Sequence, residues 1–566
     1  MNLCRYATLA TLFLVSGCGD AKPAPEPEPQ MSVPGSARTD AARPEPKPTD
    51  PQEVIDAKTF KQHLKELSSD AYEGRGPGTP GARKARDYIV QELKAAGAAP
   101  GVGDDWFQPV PLRRVETTVE SVTVTDGDSS YDLEYGPQFM GNSRRDAGQH
   151  IADGELVLVG CGVQAPEYQW DDYKGLDCKG KILVMFVGDP PAADESLFRG
   201  PEMTYYGRWT YKYDKALAMG AEGCIVVHKT PWAGYGWEVV ANSGRRPKMR
   251  VREENAARHL PLEGWVTWDV AKNLVKKTGK SLDELAALAA TRDFKPVPLG
   301  LRLKSVMTNT SKPFEDINVC GVMKGQDDAL SDEWLIYSAH YDHLGMGVPD
   351  GDRDVIYNGA IDNASGCAAL LAIAKGFGVL EGQHRRSVMF LFVGSEEQGL
   401  LGSRYYSEHP IVPIKKTVAN INIDGMNVHG KTEDMQVVGF GQSNLDVLMI
   451  MELAAEDRRM VPDQEPEKGL YYRSDHFNFA RVGIPALYTK SGDDLDTQEH
   501  PRGYLRELKD AWTRNDYHNT SDEFDPSWSC EGGAQDARVL FRVGRHILDD
   551  DRPPEWNPKS EFRDRR

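Results

Sequence analysis

At 566 residues the chain is longer than one hydrophobic core usually serves, so at least two domains are expected. Hydrophobic residues make up 40% of the chain, which is enough for globular folding. With 67 Lys and Arg against 86 Asp and Glu, the formal net charge is −19, which argues against nucleic acid or an anionic lipid surface as the partner.

The first 52 residues predict an export signal followed by a spacer. Arg5 precedes a short apolar stretch that ends at Val15 and is too short to cross a bilayer as a permanent helix. The run VSGC that ends at Cys18 resembles a bacterial lipobox and predicts a signal peptide over 1–18 with a lipidated Cys18; the alternative is a plain secretory signal. Residues 19–52, rich in Pro, Glu, Lys and Ala, predict an extended linker. We expect an exported protein of the cell envelope, anchored by lipid to a bacterial membrane.

Two segments with different sequence patterns follow the linker. Residues 53–149 begin the main domain, and KARDYIVQELKAAG predicts an amphipathic helix that ends at Gly97. Residues 150–300 contain two short apolar strands and the helix–turn–strand pattern YKYDKALAMGAEGCIVVH, which resembles a protease-associated (PA) domain. This insert is expected either to shape entry to a site or only to stabilise the fold. The main domain resumes over 301–550, and 551–566 reads as a peripheral or disordered tail.

Polar side chains follow three apolar runs in the resumed domain. WLIYSAH ends at His340, SVMFLFV leads into Glu396 and Glu397, and VANINI leads into Asp424. Continuous apolar runs of this length are typical of strands that are covered on both faces of a parallel sheet. Because functional crevices open beyond the carboxyl ends of such strands, we expect these side chains to converge.

The residue types at these positions suit a pair of zinc ions. Zinc takes imidazole nitrogen and carboxylate oxygen in low coordination numbers, whereas calcium and magnesium take mostly oxygen. Asp362 and His518 lie in polar loops and complete a set in which each ion has one imidazole and one carboxylate, with a shared carboxylate between them. Glu396 is then left over beside a ligand, free to accept a proton from water.

Together these segments resemble the co-catalytic di-zinc aminopeptidases and their PA-bearing relatives, such as the glutamate carboxypeptidases. The resemblance rests on SAHYDHLG, NGAIDNASGCAALLAIAK, GSEEQGLLGSRYY, NINIDGMN, YRSDHFNFARVGIPALY and DYHNTSDEFD. It implies that His340 and Asp424 bind one zinc ion, that Glu397 and His518 bind the other, and that Asp362 bridges them.

The resemblance also implies roles for residues around the metals. Glu396 would be the general base, and Asp342 would fix the ring of His340 without binding metal. Tyr517 would steady the oxyanion of the tetrahedral intermediate, and Arg473 would line the substrate pocket.

The predicted fold is a three-layer α/β/α sandwich with a mixed, mostly parallel sheet and an inserted PA domain. The predicted function is a zinc-dependent exopeptidase, first of all an aminopeptidase that acts on peptides and carries two Zn²⁺ per chain. Three alternatives stay open. A carboxypeptidase of the glutamate carboxypeptidase type needs a basic cluster, of which only isolated arginines are visible. A glutaminyl cyclase uses one zinc, and a receptor-like binding ectodomain would be metal-free.

Overall fold

The computed structural model describes residues 50–565 except 128, 192, 193, 195, 246, 253–258, 349, 350, 352 and 498. The predicted signal peptide with Cys18, and the linker as far as residue 49, lie outside the described residues.

The described chain begins with two helices, continues mainly with strands as far as β8, and from α8 onward mixes helices with strands. The helices are α1 Ala57–Leu67, α2 Pro80–Ala95, α3 Trp209–Ala218, α4 Thr230–Ala233, α5 Trp237–Arg245, α6 Trp268–Leu274, α7 Leu282–Ala289, α8 Ser365–Val379, α9 Leu401–Glu408, α10 Leu445–Ala454, α11 His476–Arg481, α12 Tyr504–Asn515 and α13 Glu531–Asp549. The strands are β1 Ala99–Pro100, β2 Phe107–Asp126, β3 Ser129–Asp132, β4 Phe139–Asn142, β5 Gly148–Leu158, β6 Gln164–Ala165, β7 Trp170–Asp171, β8 Lys181–Phe186, β9 Gly223–Val227, β10 Lys248–Val251, β11 Glu263–Val266, β12 Val297–Met323, β13 Trp334–His340, β14 Gly345–Met346, β15 Ile356–Tyr357, β16 Ser387–Val393, β17 Thr417–Asn422, β18 Asp434–Val438, β19 Arg459–Pro462 and β20 Ala486–Ser491.

The main domain is built on a sheet in the order β19-β18-β20-β17-β13-β16-β12. Strand β13 lies parallel to both β16 and β17, and β17 lies parallel to β20. The antiparallel pairs are β12 with β16 and β18 with β20. The three runs that precede the predicted ligands are therefore neighbouring parallel strands, and their carboxyl ends open on one edge.

Both faces of this sheet are covered by helices. On β13, Leu335 and Tyr337 pack in the core that contains α1, α2, α8 and α13, whereas Ile336 packs with Tyr406 of α9 and Phe479 of α11 on the opposite face. Alternate residues of one strand thus enter two cores, which is why the run is apolar without interruption. The predicted α/β/α layers and mostly parallel sheet are confirmed.

Two long strands join the main sheet to a second one. Strand β12 pairs with β16 at its carboxyl-terminal end and with β5 at its amino-terminal end, and β2 runs beside it over most of its length. The second sheet continues in the order β5-β8-β9-β11-β4, with parallel pairs from β5 to β11. This second sheet contains most strands of the predicted insert. It also contains β4, which lies before the predicted start of the insert at residue 150. The domain boundaries remain predictions.

Most described residues of the carboxyl-terminal tail are exposed, as expected of a peripheral end, but two aromatic side chains pack it against the domain. Phe562 is buried, and the Trp556 indole N–H donates to the carbonyl of Gly483 (2.9 Å). Aromatic side chains gain more from burial than most others, so two of them within seven residues hold this tail to the domain. Among the described helices, none is long and apolar enough to cross a membrane.

Candidate metal centre

The structure brings the polar strand ends together. His340 is the last residue of β13, Glu396 and Glu397 follow β16, and Asp424 follows β17. Because these strands are buried and their pairing is fixed residue by residue, the side chains just past their ends are set in one place.

Two loops supply the other predicted ligands. Asp362 lies in a short turn over Ala360–Ala364, directly before α8, and His518 lies in the loop after α12. The buried carboxylate of Asp522 connects them, because it accepts hydrogen bonds from the backbone N–H groups of Ile361 (3.0 Å) and Asp362 (3.1 Å). The loop that carries His518 therefore also fixes the backbone that carries Asp362.

The carboxylate of Asp362 stands between two imidazoles. Its Oδ1 lies 3.2 Å from Nε2 of His340, and its Oδ2 lies 3.2 Å from Nε2 of His518. Asp424 Oδ1 approaches the same His340 nitrogen at 3.3 Å, and Glu397 Oε2 approaches the same His518 nitrogen at 2.9 Å. The donors thus fall into two groups that share one residue, one oxygen for each group.

This donor set fits divalent cations. Donor atoms of His340, Asp362 and Asp424 lie within 4.8 Å of one another, and two further groups that meet the same limit include Glu397. Nitrogen and carboxylate oxygen donors in small groups match zinc better than calcium or magnesium. A carboxylate shared by two donor groups is the arrangement by which paired metals are held a few ångströms apart.

The electrostatics of the centre point the same way. Burial opposes protonation of His340 and His518, yet the surrounding carboxylates raise the pKa of His340 well above its ordinary value and that of His518 to about 10. Burial alone would raise the pKa of Asp362, but hydrogen bonds with the two imidazoles hold it well below the usual range. At the centre, the carboxylates carry more negative charge than protonation of the two imidazoles would neutralise. Bound cations would take the place of the imidazole protons.

Asp342 holds the glutamates more directly than it holds His340. Its carboxylate accepts the backbone N–H groups of Glu396 (3.0 Å) and Glu397 (3.4 Å). Nδ1 of His340 lies 3.8 Å from Asp342 Oδ1, whereas the backbone carbonyl of Asp342 lies at 3.1 Å and is the closer partner of the ring. The residue is thus placed to orient three neighbours, and its role in positioning His340 runs through its main chain.

Glu396 borders both the donor groups and a large cavity. Burial raises the pKa of its carboxyl group well above the ordinary value, and Glu397 and Asp424 add to that shift. No described residue donates a hydrogen bond to this carboxylate. Its oxygens are therefore available to a water molecule or a substrate amine, as a proton-transferring group requires.

The cavity has a volume of about 2030 Å³ and runs from the centre to the insert. It exceeds the roughly 300–1,000 Å³ of pockets for drug-sized ligands, so it has room for several peptide residues. Tyr517, whose ring stacks on that of His518 with centroids 3.9 Å apart, lies in its wall and is 47% exposed. Arg473 is exposed to the same space.

Two further residues orient the centre: His343, which the sequence predicts to support the site rather than to bind metal, and Arg75, which the sequence does not identify. Nδ1 of the buried His343 lies 2.7 Å from Oε1 of Glu397. The buried guanidinium of Arg75 donates to the carbonyls of Tyr341 (2.8 Å) and Gly359 (2.9 Å), on either side of the loop that carries His343. The only signal for Arg75 is an arginine within the Gly/Pro loop YEGRGPGTPG, which does not reveal a buried position.

Several known proteins are similar to this chain in sequence or structure. "Aminopeptidase NAALADL1" of Mus musculus is 33% identical over 132 residues, which are 22% of this chain and 16% of that relative's length. "Probable lipoprotein aminopeptidase LpqL" of Mycobacterium tuberculosis is 24% identical over 506 residues, 86% of this chain and 84% of that protein. A solved aminopeptidase from Aneurinibacillus sp. strain AM-1 aligns with 89% of this chain and 96% of its own at 18% identity, with a TM-score of 0.46. Residues 318–537 match Peptidase family M28. The matched part of the chain contains every proposed ligand.

Proposed function

We propose that the protein is a zinc-dependent aminopeptidase that removes N-terminal residues from peptides. The observation that carries the proposal is the position of Asp362, whose two oxygens face the Nε2 atoms of two different histidines at 3.2 Å each. A single-metal site needs no such shared carboxylate. The match of residues 318–537 to a peptidase family supports the same reaction class.

The proposal assigns five ligands and two ions. His340 and Asp424 hold the first Zn²⁺, Glu397 and His518 hold the second, and Asp362 is shared. Zinc, when bound, polarises the substrate carbonyl and makes water a stronger acid.

The chain's own residues carry the proton and the charge in the proposed reaction. Glu396 accepts a proton from the attacking water as the new C–O bond forms. It returns that proton to the amide nitrogen as the C–N bond breaks, so that an acid and an amine leave. Tyr517 donates a hydrogen bond to the oxyanion of the tetrahedral intermediate. His343 and Asp342 keep Glu397 and Glu396 in place throughout.

The aminopeptidase choice rests on the resemblance to the di-zinc aminopeptidases, in which carboxylates near the metals hold the free α-amine of the substrate. A carboxypeptidase of the glutamate carboxypeptidase type is the second candidate. The sequence offers only isolated arginines for it, whereas the structure gathers Arg208, Arg473 and Arg481 along one cavity. The two candidates differ in which end of the substrate must be free.

We further propose that the protein is a lipoprotein of the cell envelope, anchored at Cys18, and that residues 150–300 are a PA domain. The VSGC run supports the anchor, and the relative named a probable lipoprotein aminopeptidase covers 86% of the chain. The parallel strands β5, β8, β9 and β11 support the PA domain, and insert residues in the cavity wall, such as Tyr213 and Trp265, support a role in shaping substrate entry.

A reporter screen tests the activity. Aminoacyl p-nitroanilides with a free amine are expected to be cleaved, and cleavage should stop on chelation and return with Zn²⁺. The same reporters with a blocked amine should remain intact. Cleavage of N-blocked dipeptides, together with no cleavage of free-amine reporters, would transfer the proposal to the carboxypeptidase.

A further inference from the structure

Helix α10 exposes a stripe of apolar side chains. Val447, Ile450 and Met451 are 54%, 45% and 52% exposed, and Ala454 on the next turn is exposed as well. These positions are spaced i, i+3, i+4 and i+7, so they form one continuous face of the helix. A single exposed apolar side chain is ordinary, but of the eleven large ones that the described part of the chain exposes, three lie within five residues here. A contiguous apolar face of this kind is typical of an interaction surface.

The same helix turns its charged side chains inward. Asp446 is buried and accepts the backbone N–H of Gly441 (2.7 Å), and Glu452 is buried and accepts from the Arg542 guanidinium (2.5 Å). From Asn444 to Ala455, all of which the structure describes, no exposed position carries a charge. A helix on the surface of a monomer normally has the opposite arrangement, because water solvates charged groups well and apolar groups poorly. The exposed face of α10 is therefore suited to being covered.

The strand beside α10 is the open edge of the main sheet. Strand β19 pairs with β18 on one side, and no described strand pairs with its other side. The N–H of Arg459 donates to the carbonyl of Glu433 (2.9 Å) on the β18 side, so the N–H and carbonyl of the next residue, Met460, point outward. The Met460 side chain packs in the core that contains Met449 and Leu453 of α10. The apolar stripe and the open strand thus belong to the same corner of the domain.

Charge and symmetry select the partner. With a formal net charge of −19, two copies of the chain repel each other in most orientations, and they approach most easily through an uncharged face. A lipid surface is a poorer match, because helices that lie on membranes carry Lys and Arg beside the apolar stripe, whereas Arg542 and His546 next to α10 are both engaged by Glu452 (2.5 and 2.6 Å). An open strand edge needs another strand, which a bilayer does not offer. A two-fold axis beside Met460 lets two copies meet both needs at once.

We propose that the face formed by α10 and the open side of β19 binds a second copy of this chain, so that the protein is a two-fold symmetric dimer. Across the axis, the Met460 N–H of each copy donates to the Met460 carbonyl of the other, as in an antiparallel pair. A strand of four residues contributes few hydrogen bonds, so contact between the two α10 stripes supplies most of the affinity. None of these residues lies in the wall of the cavity that reaches the metal centre, so the dimer leaves each centre open.

Light scattering and sedimentation velocity measure the association. The protein is the chain from residue 19 onward, which contains every described residue and lacks Cys18. We expect twice the monomer mass at the upper end of a range of about 1–100 µM, because the interface is of modest size. Ile450→Glu places two like charges within the apolar contact and should raise the dimer Kd at least about a hundredfold. Leu288→Glu on α7, where the side chain is 41% exposed, is the matched control and should leave Kd within about twofold.

A second pair of variants tests the strand contact. Met460→Pro removes the outward N–H, and Pro is tolerated in an edge strand where that N–H faces away from the sheet. Met460→Ala shortens the same side chain and keeps the N–H, so it is the control for lost packing. Relative to Met460→Ala, Met460→Pro should raise Kd about tenfold to a hundredfold, because both hydrogen bonds across the axis are lost. Equal Kd values for these two variants would refute the strand pairing.

Other outcomes would overturn the dimer itself. A wild-type chain that stays monomeric to about 100 µM has no such interface. A dimer that survives Ile450→Glu, or that Leu288→Glu weakens to the same extent, uses another surface. A monomer that sediments with phosphatidylcholine vesicles and is released by Ile450→Glu would assign the face to a lipid surface instead. These measurements need no peptidase activity, so the dimer and the proposed function can fail separately.

Discussion

The two ends of the cavity handle charge in opposite ways. At the centre, carboxylates outnumber the imidazoles, and they raise the pKa of His518 to about 10. At the insert end, Arg208 and Arg473 stand together without a described acidic partner. One excess suits resident cations. At the other end, burial and the nearby positive charge of Arg473 lower the pKa of Arg208 to about 10. The excess of carboxylates is therefore what sets the metal centre apart from the insert end.

The largest expected effect on activity tests the carboxylate-rich metal centre, called here the negative end of the cavity. Asp362→Ala removes the carboxylate shared by both donor groups, so zinc content and activity should fall together. Loss of a partner outside the ligand set typically costs about 10–100-fold, so loss of a shared ligand should cost more than about a hundredfold in kcat/KM. Metal analysis beside kinetics measures both effects, with Asp510→Asn on the exposed side of α12 as the control. Full zinc content in Asp362→Ala would contradict the shared role.

The next effect separates chemistry from metal binding at the same end. Glu396→Gln keeps the shape of the side chain but cannot accept the proton, so kcat should fall by about 10²–10⁴. Zinc content should stay at the wild-type level, because Glu396 is not among the proposed ligands. Near-normal turnover would remove Glu396 as the base, and loss of zinc would make it a ligand instead.

The smallest effect on activity tests how the insert end with its two arginines, called here the positive end of the cavity, is held. Glu561→Ala removes the acceptor of two hydrogen bonds, one from the turn Tyr205–Gly207 and one from the turn Leu470–Tyr472. The free energy of unfolding, measured by chemical denaturation, should fall by about 1–3 kcal/mol because two donors lose their acceptor, whereas kcat/KM on the free-amine reporters should stay within about twofold. Lys559→Ala, an exposed change in the same tail, serves as the control. Unchanged stability of Glu561→Ala would mean that the tail does not hold these turns.

The negative end could be predicted from the sequence because its residues follow a repeated local pattern. An uninterrupted apolar run identified each of β13, β16 and β17, and the polar residue after each run marked one edge of the sheet. The same runs predicted the layered fold. Even here the pattern was incomplete, since it did not show that Asp342 uses its carboxylate on the backbone of Glu396 or that Asp522 links two distant loops.

The positive end could not be predicted because no local pattern connects its parts. Arg208, Arg473 and Glu561 come from the insert, the main domain and the tail. The resemblance placed only Arg473 at the pocket, and the other two look like surface charges in the sequence. The tail packs with Phe562 buried, and its Glu561 accepts hydrogen bonds from Tyr205 and Tyr472 in two different turns. The long pairing of β2 with β12 across the predicted boundary was likewise invisible, because strand length does not reveal which partners a strand has at each end.

Metal analysis of the purified full-length protein tests the central claim most directly. Two zinc ions per chain, falling to one or none in Asp362→Ala while the protein stays folded, is the result that a shared carboxylate predicts. A wild-type protein that, supplied with zinc, binds none or a single ion with Asp362 dispensable would contradict the account.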